Sequence, residues 1–366
     1  MKRIIISGGG TGGHIYPAIA IANQLKNTLD NPEILFVGAN NRMEMQKVPQ
    51  AGYKIIGLDI AGIQRSLSLT HTKANILFPF KLFKSLAAAR QIIKEFKPDI
   101  AVGVGGYASG PLLFAAARMN VPTLIQEQNS YAGLTNKWLS KSAKKICVAY
   151  PAMDNFFPKD KLIFTGNPVR SDILDIFSKR KQAQEHFGLD KNKKTILVIG
   201  GSLGARTINE SIELGLNRLT ENNIQVIWQT GKTYYEKAIK ATENYPNIKV
   251  FEFINVMDLA YAAADIVLSR AGALSISELC LVAKPAILIP SPNVSENHQT
   301  KNAMALVNNN AALLVADAYA KDFLIGDAID LLSDSVLQGK LSQNIVKLAK
   351  PNAAQEIVTQ ILKIIS

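Results

Sequence analysis

His14 is the side chain in this sequence best suited to take a proton from a substrate. It is one of four histidines, and it follows a glycine-rich loop at residues 8–13. The ordinary pKa of an imidazole, about 6.5, suits a general base at neutral pH, and a positioned base accelerates a reaction by roughly 10²–10⁴-fold. The spacing alone leaves two interpretations open, a catalytic base or a residue that contacts phosphate at a helix start. Glu127 is a second candidate for the base.

Two further glycine-rich loops, at residues 103–110 and 200–205, also follow apolar runs. Glycine lets a ligand approach the backbone closely, and the N–H groups at the start of a following helix attract anions. Tight packing between a strand and a helix can explain one such loop. Three of them in one chain favour a phosphate site.

The sequence disfavours two common phosphate ligands. His14 follows Gly13, where a P-loop would have Lys-Ser or Lys-Thr. The apolar runs that lead to Asn40 and Gly231 end without an acid to hold the ribose of a dinucleotide. Neither an Asp-x-Asp motif nor a His and Cys cluster with metal-ligand spacing occurs. We therefore expect a diphosphate held by N–H groups, hydroxyls and arginine, with no cofactor and no metal site.

The elements that must position these loops form an α/β pattern, in which short β-branched runs alternate with helical patterns. The first half predicts strands at residues 3–7, 34–37, 54–58, 100–104, 123–126 and 145–149, with helices at 17–29 and 84–96. The second half predicts strands at residues 195–199, 225–228, 249–251, 266–269, 286–289 and 312–315, and a final helix at 351–365. We expect two doubly wound, Rossmann-like domains, residues 1–165 and 166–350, facing each other across a cleft, with a hinge at 165–170.

The positive charge is concentrated in the first of these domains. The 366 residues carry a formal charge of +12, but residues 1–165 have 20 Lys and Arg against 9 Asp and Glu, whereas residues 166–366 have 21 against 20. A basic half indicates an anionic partner such as nucleic acid, a membrane surface or a phosphorylated substrate. The two cysteines cannot form a disulfide framework and fit a reducing compartment. No stretch reaches 18 consecutive apolar residues, so no membrane span is expected.

Residues 71–97 mix aromatic and basic side chains. The apolar members are Phe78, Phe80, Leu82 and Phe83, and the basic members are Lys73, Lys81, Lys84, Arg90, Lys94 and Lys97. A second basic group comprises Lys137, Lys141, Lys144 and Lys145. Such a mixture suits a helix lying among anionic lipid headgroups, but it equally fits an ordinary amphipathic helix whose phenylalanines are core. Nucleic acid is not expected, because no recognised nucleic-acid-binding module occurs.

Six strings occur in an order and spacing that carry a family resemblance: GGGTGGHIYPAIAIA, GVGGYASGP, EQNSYAGLTNKWL, TGNPVR, GGSLGAR and SRAGALSISEL. Together they resemble the MurG family of peptidoglycan glycosyltransferases. The family transfers N-acetylglucosamine from UDP-N-acetylglucosamine to the muramoyl C4 hydroxyl of lipid I, with inversion, giving lipid II. Another UDP-sugar enzyme of the same fold, a glycolipid synthase or a UDP-N-acetylglucosamine epimerase, is the alternative.

The resemblance implies the GT-B fold, with the acceptor on the first domain, the donor on the second, and the C-terminal helix 351–366 returning to the first domain. It implies peripheral association with the cytoplasmic face of the inner membrane through anionic lipid. Proteins of cell-wall synthesis and cell division are possible partners.

The resemblance also implies roles for individual residues. His14 would be the base, Ser202 and Arg170 would bind the donor diphosphate region, and Glu278 would accept the ribose hydroxyls. Gln299 would contact the sugar hydroxyls, with His298 beside it. The remaining implied substrate-binding residues are Thr11, Gly12, Gly13, Asn129, Ile254 (to the uracil, through its backbone), Ala273, Leu274, Ser275, Ile276 and Ser277. Three alternatives stay open, namely that Arg170 closes the domains as an ion pair, Glu278 is a first-turn helix acid, and Asn129 only forms a turn.

Overall fold

The computed structural model describes residues 1–60, 78–294 and 297–366. The chain folds into two compact units. The first comprises Met1–Arg170 with Asn352–Ser366, and the second comprises Ser171–Pro351. Each unit contains a parallel sheet with helices between successive strands, so the predicted doubly wound α/β architecture is confirmed. His71 and Lys73 of the basic segment lie outside the described residues.

The first unit is built on a seven-stranded parallel sheet with the order β3-β2-β1-β4-β5-β6-β7. Its strands are β1 Arg3–Ser7, β2 Glu33–Ala39, β3 Lys54–Leu58, β4 Ile100–Gly103, β5 Thr123–Glu127, β6 Lys145–Val148 and β7 Leu162–Phe164. Its helices are α1 Gly12–Thr28, α2 Glu44–Gln50, α3 Phe78–Phe96, α4 Ser109–Arg118 and α5 Leu134–Leu139, with 3₁₀ turns at Met153–Asn155 and Lys159–Lys161. The prediction of six strands was wrong by one, because β7 has only three residues and shows no buried apolar run.

The C-terminal helix completes the core of the first unit. This helix, Ala353–Ile365, buries Ile357, Val358 and Ile361 in the cluster formed by α1 and the strands. Lys2 Nζ donates to the Ile365 carbonyl at 2.5 Å, which fixes the end of the helix beside the first strand. A doubly wound sheet needs helices on both faces, and this helix packs beside α1 on one of them.

The second unit has a six-stranded parallel sheet with the order β10-β9-β8-β11-β12-β13. Its strands are β8 Thr195–Ile199, β9 Gln225–Gln229, β10 Ile248–Phe251, β11 Ile266–Ser269, β12 Ala286–Leu288 and β13 Leu313–Leu314. Its helices are α6 Arg180–Phe187, α7 Arg206–Leu214, α8 Leu216–Glu221, α9 Tyr235–Ala241, α10 Met257–Ala263, α11 Ala273–Val282, α12 His298–Val307, α13 Ala320–Ser333 and α14 Ser335–Ile345, so the C-terminal helix is α15. Further 3₁₀ turns span Ser171–Leu174, Phe177–Lys179, Asp317–Tyr319 and Val346–Leu348.

Two helices begin earlier than the sequence predicts. Helix α1 starts at Gly12, five residues before Pro17, and contains that proline in its second turn. Proline removes one intrahelical hydrogen bond, but the flanking Ile15 and Ala18 are fully buried and hold the turn in place. Helix α3 starts at Phe78, six residues before the predicted start.

The strand orders define where ligands should bind. In each sheet the order reverses beside the first strand of the unit, between β1 and β4 and between β8 and β11. In open α/β sheets, ligands bind outside the carboxyl ends of the strands at such a switch point. The three glycine-rich loops follow β1, β4 and β8, so all of them lie at these positions.

Lys284, between α11 and β12, is a largely buried cation in the second unit. Its Nζ donates to the Ala264 carbonyl, just past the end of α10, at 2.6 Å. Burial lowers the pKa of Lys284 to about 8, with a further lowering from the Arg180 charge and an opposing effect from Asp265. An unfolded lysine has a pKa of about 10.4. The unfolded chain therefore holds the extra proton between about pH 8 and pH 10.4, so this group makes stability rise with pH in that window.

We expect Lys284→Met to remove this contribution, which amounts to about 3 kcal/mol across the window. Denaturant unfolding of the full chain, followed by Trp228 fluorescence in a Trp138→Phe background, would measure it as a wild-type-minus-variant difference. Burial raises the pKa of Cys147 and of Cys280 to about 12, which lowers stability as the pH rises. This effect is the same in both proteins, so it cancels in the difference. Exposed Lys240→Met is the control, and an identical pH slope in wild type and Lys284→Met would contradict the assignment.

Candidate active site

The loops after β1 and β4 lie directly against each other at the switch point of the first sheet. Gly9 N–H donates to the Gly105 carbonyl at 3.3 Å. Gly106 has φ +90°, and a Cβ placed on it would lie 2.3 Å from the Gly9 carbonyl oxygen. Only glycine fits such a contact, so these two loops form one rigid backbone surface.

His14 lies on this surface, in the first turn of α1. Its ring packs against Gly105, where an added Cβ would lie 2.8 Å from Nδ1. The Nδ1 atom is 3.0 Å from Gln128 Oε1, in the loop after β5. Burial lowers the pKa of His14, while Glu127, the Gln128 amide, the Val104 carbonyl and Glu44 partly offset that effect. The imidazole is therefore neutral at neutral pH, as a general base must be.

Glu127, the second candidate base, is buried, and its carboxylate holds the following loop together. Oε1 accepts from the backbone N–H of Asn129 at 3.1 Å and from its side-chain amide at 3.4 Å. Oε2 accepts from Gly133 N–H and from Asn136 Nδ2, both at 2.9 Å. These bonds use the lone pairs that a base would need. Glu127 thus orients the Asn129 loop and adds a negative charge near His14.

Glu44 is a site residue that the sequence does not reveal. It is fully buried, and its carboxylate accepts from Gly10 N–H at 2.9 Å and from Ala39 N–H at 3.0 Å. A Cβ on Gly9 would lie 2.2 Å from Glu44 Oε1, so the first glycine loop folds around this carboxylate. Both oxygens of this carboxylate accept from backbone N–H groups, so a buried acid of α2 orients the first glycine loop. The only sequence signal is a Glu five residues after the strand, which is too common to single out.

The other residues predicted in the first half have definite positions. Thr11 precedes α1 in an extended conformation, and its carbonyl accepts from His14 N–H at 3.1 Å. Gly12 and Gly13 are the first residues of α1. Arg170, the last residue of the first unit, lies with its guanidinium 5.4 Å from the Tyr16 ring centre, a cation–π contact near His14 on α1.

In the second unit, the glycine loop after β8 packs against the loop after β9. Gly204 has φ +77°, and a Cβ on it would lie 1.9 Å from the Thr230 carbonyl oxygen. Gly231, with φ +74°, has the matching close approach to Leu203. Ser202 lies in this loop four residues before α7, which begins at Arg206.

Gln229, at the end of β9, ties this loop to Ile254. Its Nε2 donates to the Gly201 carbonyl at 3.1 Å, and its Oε1 accepts from Ile254 N–H at 2.8 Å. Ile254 is buried, and its N–H is occupied by this bond. Gln229 is another residue that sequence analysis missed, because an amide at a strand end carries no specific signal.

Helix α11 presents its amino end at the same edge of the sheet. Gly272 is its extended N-cap, and Ala273, Leu274 and Ser275 form the first turn. Glu278 is in the second turn and accepts from the Tyr261 hydroxyl at 3.0 Å. The alternative of a first-turn acid is wrong for Glu278, because the dipole effect is confined to the first turn. Ile276 is buried, whereas the Ser277 hydroxyl donates to the Ala273 carbonyl at 3.0 Å.

Gln299 lies in the first turn of α12, beyond β12, next to His298. Its Oε1 accepts from Ser291 N–H at 2.9 Å, which ties the helix to the loop after the strand. Asn302, one turn further along, donates to the Ala271 carbonyl at 3.3 Å, just before α11. The second unit therefore brings Ile254, Ser202, the start of α11 and Gln299 to the carboxyl ends of neighbouring strands.

An apolar and basic face of the first unit lies on helices α3 and α5, which both pack against α4. Phe80 and Phe83 are 79% and 76% exposed, and Leu134 and Trp138 are 74% and 51% exposed. The interpretation of the phenylalanines as core is wrong for Phe80 and Phe83, although Leu82 between them does pack on the core. Lys84 and Lys94 of α3 are exposed, as are Lys141 and Lys144, which follow α5. No helix among the described residues is long and apolar enough to cross a membrane.

Comparison with known proteins extends over both units. The glycosyltransferase family 28 N-terminal domain matches residues 4–148, and the family 28 C-terminal domain matches residues 195–360. The chain is 57% identical over 365 residues to the UDP-N-acetylglucosamine–N-acetylmuramyl-(pentapeptide) pyrophosphoryl-undecaprenol N-acetylglucosamine transferase of Parabacteroides distasonis, covering 99% of this chain and 98% of that one. It is 57% identical to the enzyme of the same name from Cytophaga hutchinsonii, over 100% of this chain and 97% of that one.

Solved structures agree with these matches. A crystal structure of Acinetobacter baumannii MurG superimposes with a TM-score of 0.76 at 30% identity, over 99% of this chain and 100% of that one. A UDP-GlcNAc 2-epimerase from Neisseria meningitidis bound to UDP-GlcNAc gives a TM-score of 0.68 at 18% identity, over 99% and 100% of the two chains, a likeness of fold alone. The two units are thus those of a GT-B glycosyltransferase, and the chain belongs to glycosyltransferase family 28 and, within it, to the MurG transferases.

Proposed function

We propose that this enzyme transfers N-acetylglucosamine from UDP-N-acetylglucosamine to the muramoyl C4 hydroxyl of lipid I, giving lipid II for peptidoglycan. The observation that carries the proposal is His14, a neutral imidazole held on a rigid glycine surface at the switch point of the first sheet. The full-length similarity to transferases named for this reaction supports the same substrates.

The donor would bind on the second unit. The loop at Ser202 and the first turn of α11 follow neighbouring parallel strands, so the N–H groups at the start of a helix and a hydroxyl meet at one edge. Such groups bind a diphosphate and stabilise the charge that develops on departing UDP. The Glu278 carboxylate, oriented by Tyr261, would accept the ribose hydroxyls. The Ile254 N–H already donates to Gln229. The backbone carbonyl oxygen of Ile254 is therefore the atom that would meet the uracil N–H.

The remaining predicted contacts come from both units. Gln299, anchored at the end of β12, would meet the sugar hydroxyls. Arg170 and Asn129 belong to the first unit, where Tyr16 and Glu127 respectively orient them. Both would contact the donor as it reacts, and Thr11, Gly12 and Gly13 would contact the acceptor beside His14.

The chemistry needs the acceptor hydroxyl to lose its proton as its oxygen attacks the anomeric carbon. His14 would take that proton, while the bond from the anomeric carbon to the UDP oxygen breaks on the opposite face. The configuration of the sugar inverts, because one displacement occurs without a covalent intermediate. The proton ends on the imidazole and the electron pair leaves with UDP.

Incubation of the purified enzyme with UDP-N-acetylglucosamine, with and without lipid I, tests the substrate assignment. We expect UDP release that depends on lipid I. Conversion of the UDP-sugar without lipid would instead identify an epimerase and would reject the proposal. Release that requires a diacylglycerol acceptor would identify a glycolipid synthase.

The acceptor is a lipid, and the apolar and basic face of the first unit would place the enzyme on the membrane. Exposed phenylalanines enter the headgroup region and the surrounding lysines attract anionic lipid. This would hold the enzyme at the cytoplasmic face of the inner membrane, where proteins of cell-wall synthesis and division could meet it.

We expect the double variant Phe80→Ser and Phe83→Ser to bind vesicles of phosphatidylglycerol and phosphatidylethanolamine at least about tenfold more weakly, since each phenylalanine contributes roughly 1.5–3 kcal/mol when buried. Flotation at low and high salt measures it, and salt should weaken wild-type binding. Phe177→Ser is the matched control, because Phe177 is 74% exposed but lies on the second unit. Absence of wild-type binding at low salt would defeat the membrane assignment.

A further inference from the structure

A chain of buried amides leads away from the His14 ring. Gln128 Nε2 donates to the Val104 carbonyl at 2.7 Å and to Gln126 Oε1. Gln126 Nε2 donates to Asn167 Oδ1 at 2.9 Å, and Asn167 Nδ2 donates to the backbone carbonyl of Gln128 at 3.1 Å. These three amide side chains are at most 2% exposed. Each of these three buried amides therefore forms hydrogen bonds with groups of the protein itself.

The direction of every bond in this network follows from its two backbone carbonyls, which can only accept. The Gln128 carbonyl requires the NH₂ group of Asn167, so Asn167 Oδ1 must face Gln126. Gln126 then turns its NH₂ group towards Asn167 and its oxygen towards Gln128. The Val104 carbonyl imposes the same orientation on Gln128 independently. Amide orientations are assigned from such networks, and here both ends give the same answer.

The orientation of the Gln128 amide determines which nitrogen of the His14 ring carries the proton. With its NH₂ group facing Val104 and Gln126, Gln128 presents its oxygen to His14 Nδ1 at 3.0 Å. An amide oxygen can only accept, so Nδ1 must carry the proton of the neutral ring. The lone pair of the imidazole is then on Nε2.

We propose that Gln128 is a positioning residue that holds His14 as its Nδ1–H tautomer, so that Nε2 is the atom that takes the acceptor proton, and that Asn167 sets the direction of the amide network. The tautomer stands on the hydrogen bonds alone, whereas its catalytic use rests on the proposed role of His14. In hydrolases a carboxylate usually orients the histidine. Here a neutral amide does so, and it stabilises the charged imidazolium less than a carboxylate would.

Nitrogen-15 NMR of the full-length enzyme, with the His14 signals identified by their loss in His14→Ala, reads the tautomer without reference to activity. We expect a protonated Nδ1 and a pyridine-like Nε2 in the wild type at pH values above the His14 pKa. In Gln128→Met both tautomers should be populated, and kcat should fall about 10–100-fold, the effect of losing the partner that orients a metal-bound imidazole, with unchanged affinity for UDP. A pyridine-like Nδ1 in the wild type would overturn the proposal.

The pH profile supplies a second readout. Gln128→Glu should move the acid limb of kcat/KM to higher pH by about one unit or more, because a carboxylate favours the imidazolium. The other carboxylates that act on His14, Glu127 and Glu44, are unchanged in this variant. Asn167→Asp removes the NH₂ group that sets the network and should also mix the tautomers. An unshifted acid limb in Gln128→Glu, or a single Nδ1–H tautomer in Gln128→Met, would count against the proposal.

Gln225→Met is the matched control for loss of a buried amide. Gln225 is 3% exposed in the second unit and donates to the Asp190 carbonyl and to Thr195. It should lower stability without changing the His14 tautomer or the pH profile. Wild-type kcat in His14→Ala together with the expected tautomer would reject the base while leaving the positioning role of Gln128 intact, so the two failures are distinguishable.

Discussion

His14→Ala should lower kcat by roughly 10²–10⁴-fold, the usual contribution of a positioned general base. The affinity for UDP-N-acetylglucosamine should change little, because the loops expected to bind the donor belong to the second unit and His14 to the first. Steady-state kinetics with lipid I and calorimetric titration with UDP separate the two effects. Turnover like that of the wild type would eliminate His14 as the base.

The pH dependence of kcat/KM tests the role of His14 as the base in the unmutated enzyme. A base works only when it is unprotonated, and burial lowers the pKa of His14. The acid limb of kcat/KM should therefore lie below the ordinary histidine value of about 6.5, and activity should be lost as the pH falls through the lowered pKa. His186→Ala, which removes an exposed histidine of the second unit, is the control and should retain the wild-type profile.

Gly204→Ala should raise the dissociation constant for UDP at least about tenfold, equivalent to about 1.4 kcal/mol. The substitution places a Cβ 1.9 Å from the Thr230 carbonyl oxygen, at a residue with φ +77°. Because the obstacle is backbone, the loop that carries Ser202 must move, and the N–H groups at the start of α7 move with it. Titration of UDP into the variant measures the loss.

Gly201→Ala is the matched variant in the same loop. Gly201 also has a positive φ, +85°, but nothing lies within 4 Å of an added Cβ. Its cost is limited to backbone strain, about 1–2 kcal/mol in stability, so its donor affinity should fall less than that of Gly204→Ala. Equal losses in the two variants would show that close packing against Thr230 is unimportant for donor binding.

Most of the fold was predictable because parallel strands buried on both faces leave continuous apolar runs. Strands β1 and β8 match their predicted bounds for this reason. Strand β7 was missed, since Leu162–Phe164 is short and only partly buried. The start of α1 was misplaced because proline favours a first turn, whereas tertiary packing extends this helix back to Gly12.

Some residues of the candidate site could likewise be predicted from the sequence, and others could not. The glycine loops have a local signature, so His14, which follows the first of them, could be proposed from the sequence, and Ser202 could be proposed from the family resemblance. The groups that orient them have none. Glu44 reaches the first loop from α2, and Gln128 is oriented by Asn167, 39 positions away. Such contacts exist only after the chain has folded, because they join loops from different strands.

The most direct measurement of the central claim is the structure of the sugar product formed from UDP-N-acetylglucosamine and lipid I. The proton NMR coupling of the new anomeric centre, read on the purified lipid product, reports its configuration, and the long-range correlation from the anomeric proton to the muramoyl C4 carbon reports its attachment. We predict one β-linked N-acetylglucosamine on the muramoyl C4 oxygen, formed in amounts equal to the UDP released. An α-linked product, or UDP release that leaves no sugar on the lipid, would contradict inverting transfer by this enzyme.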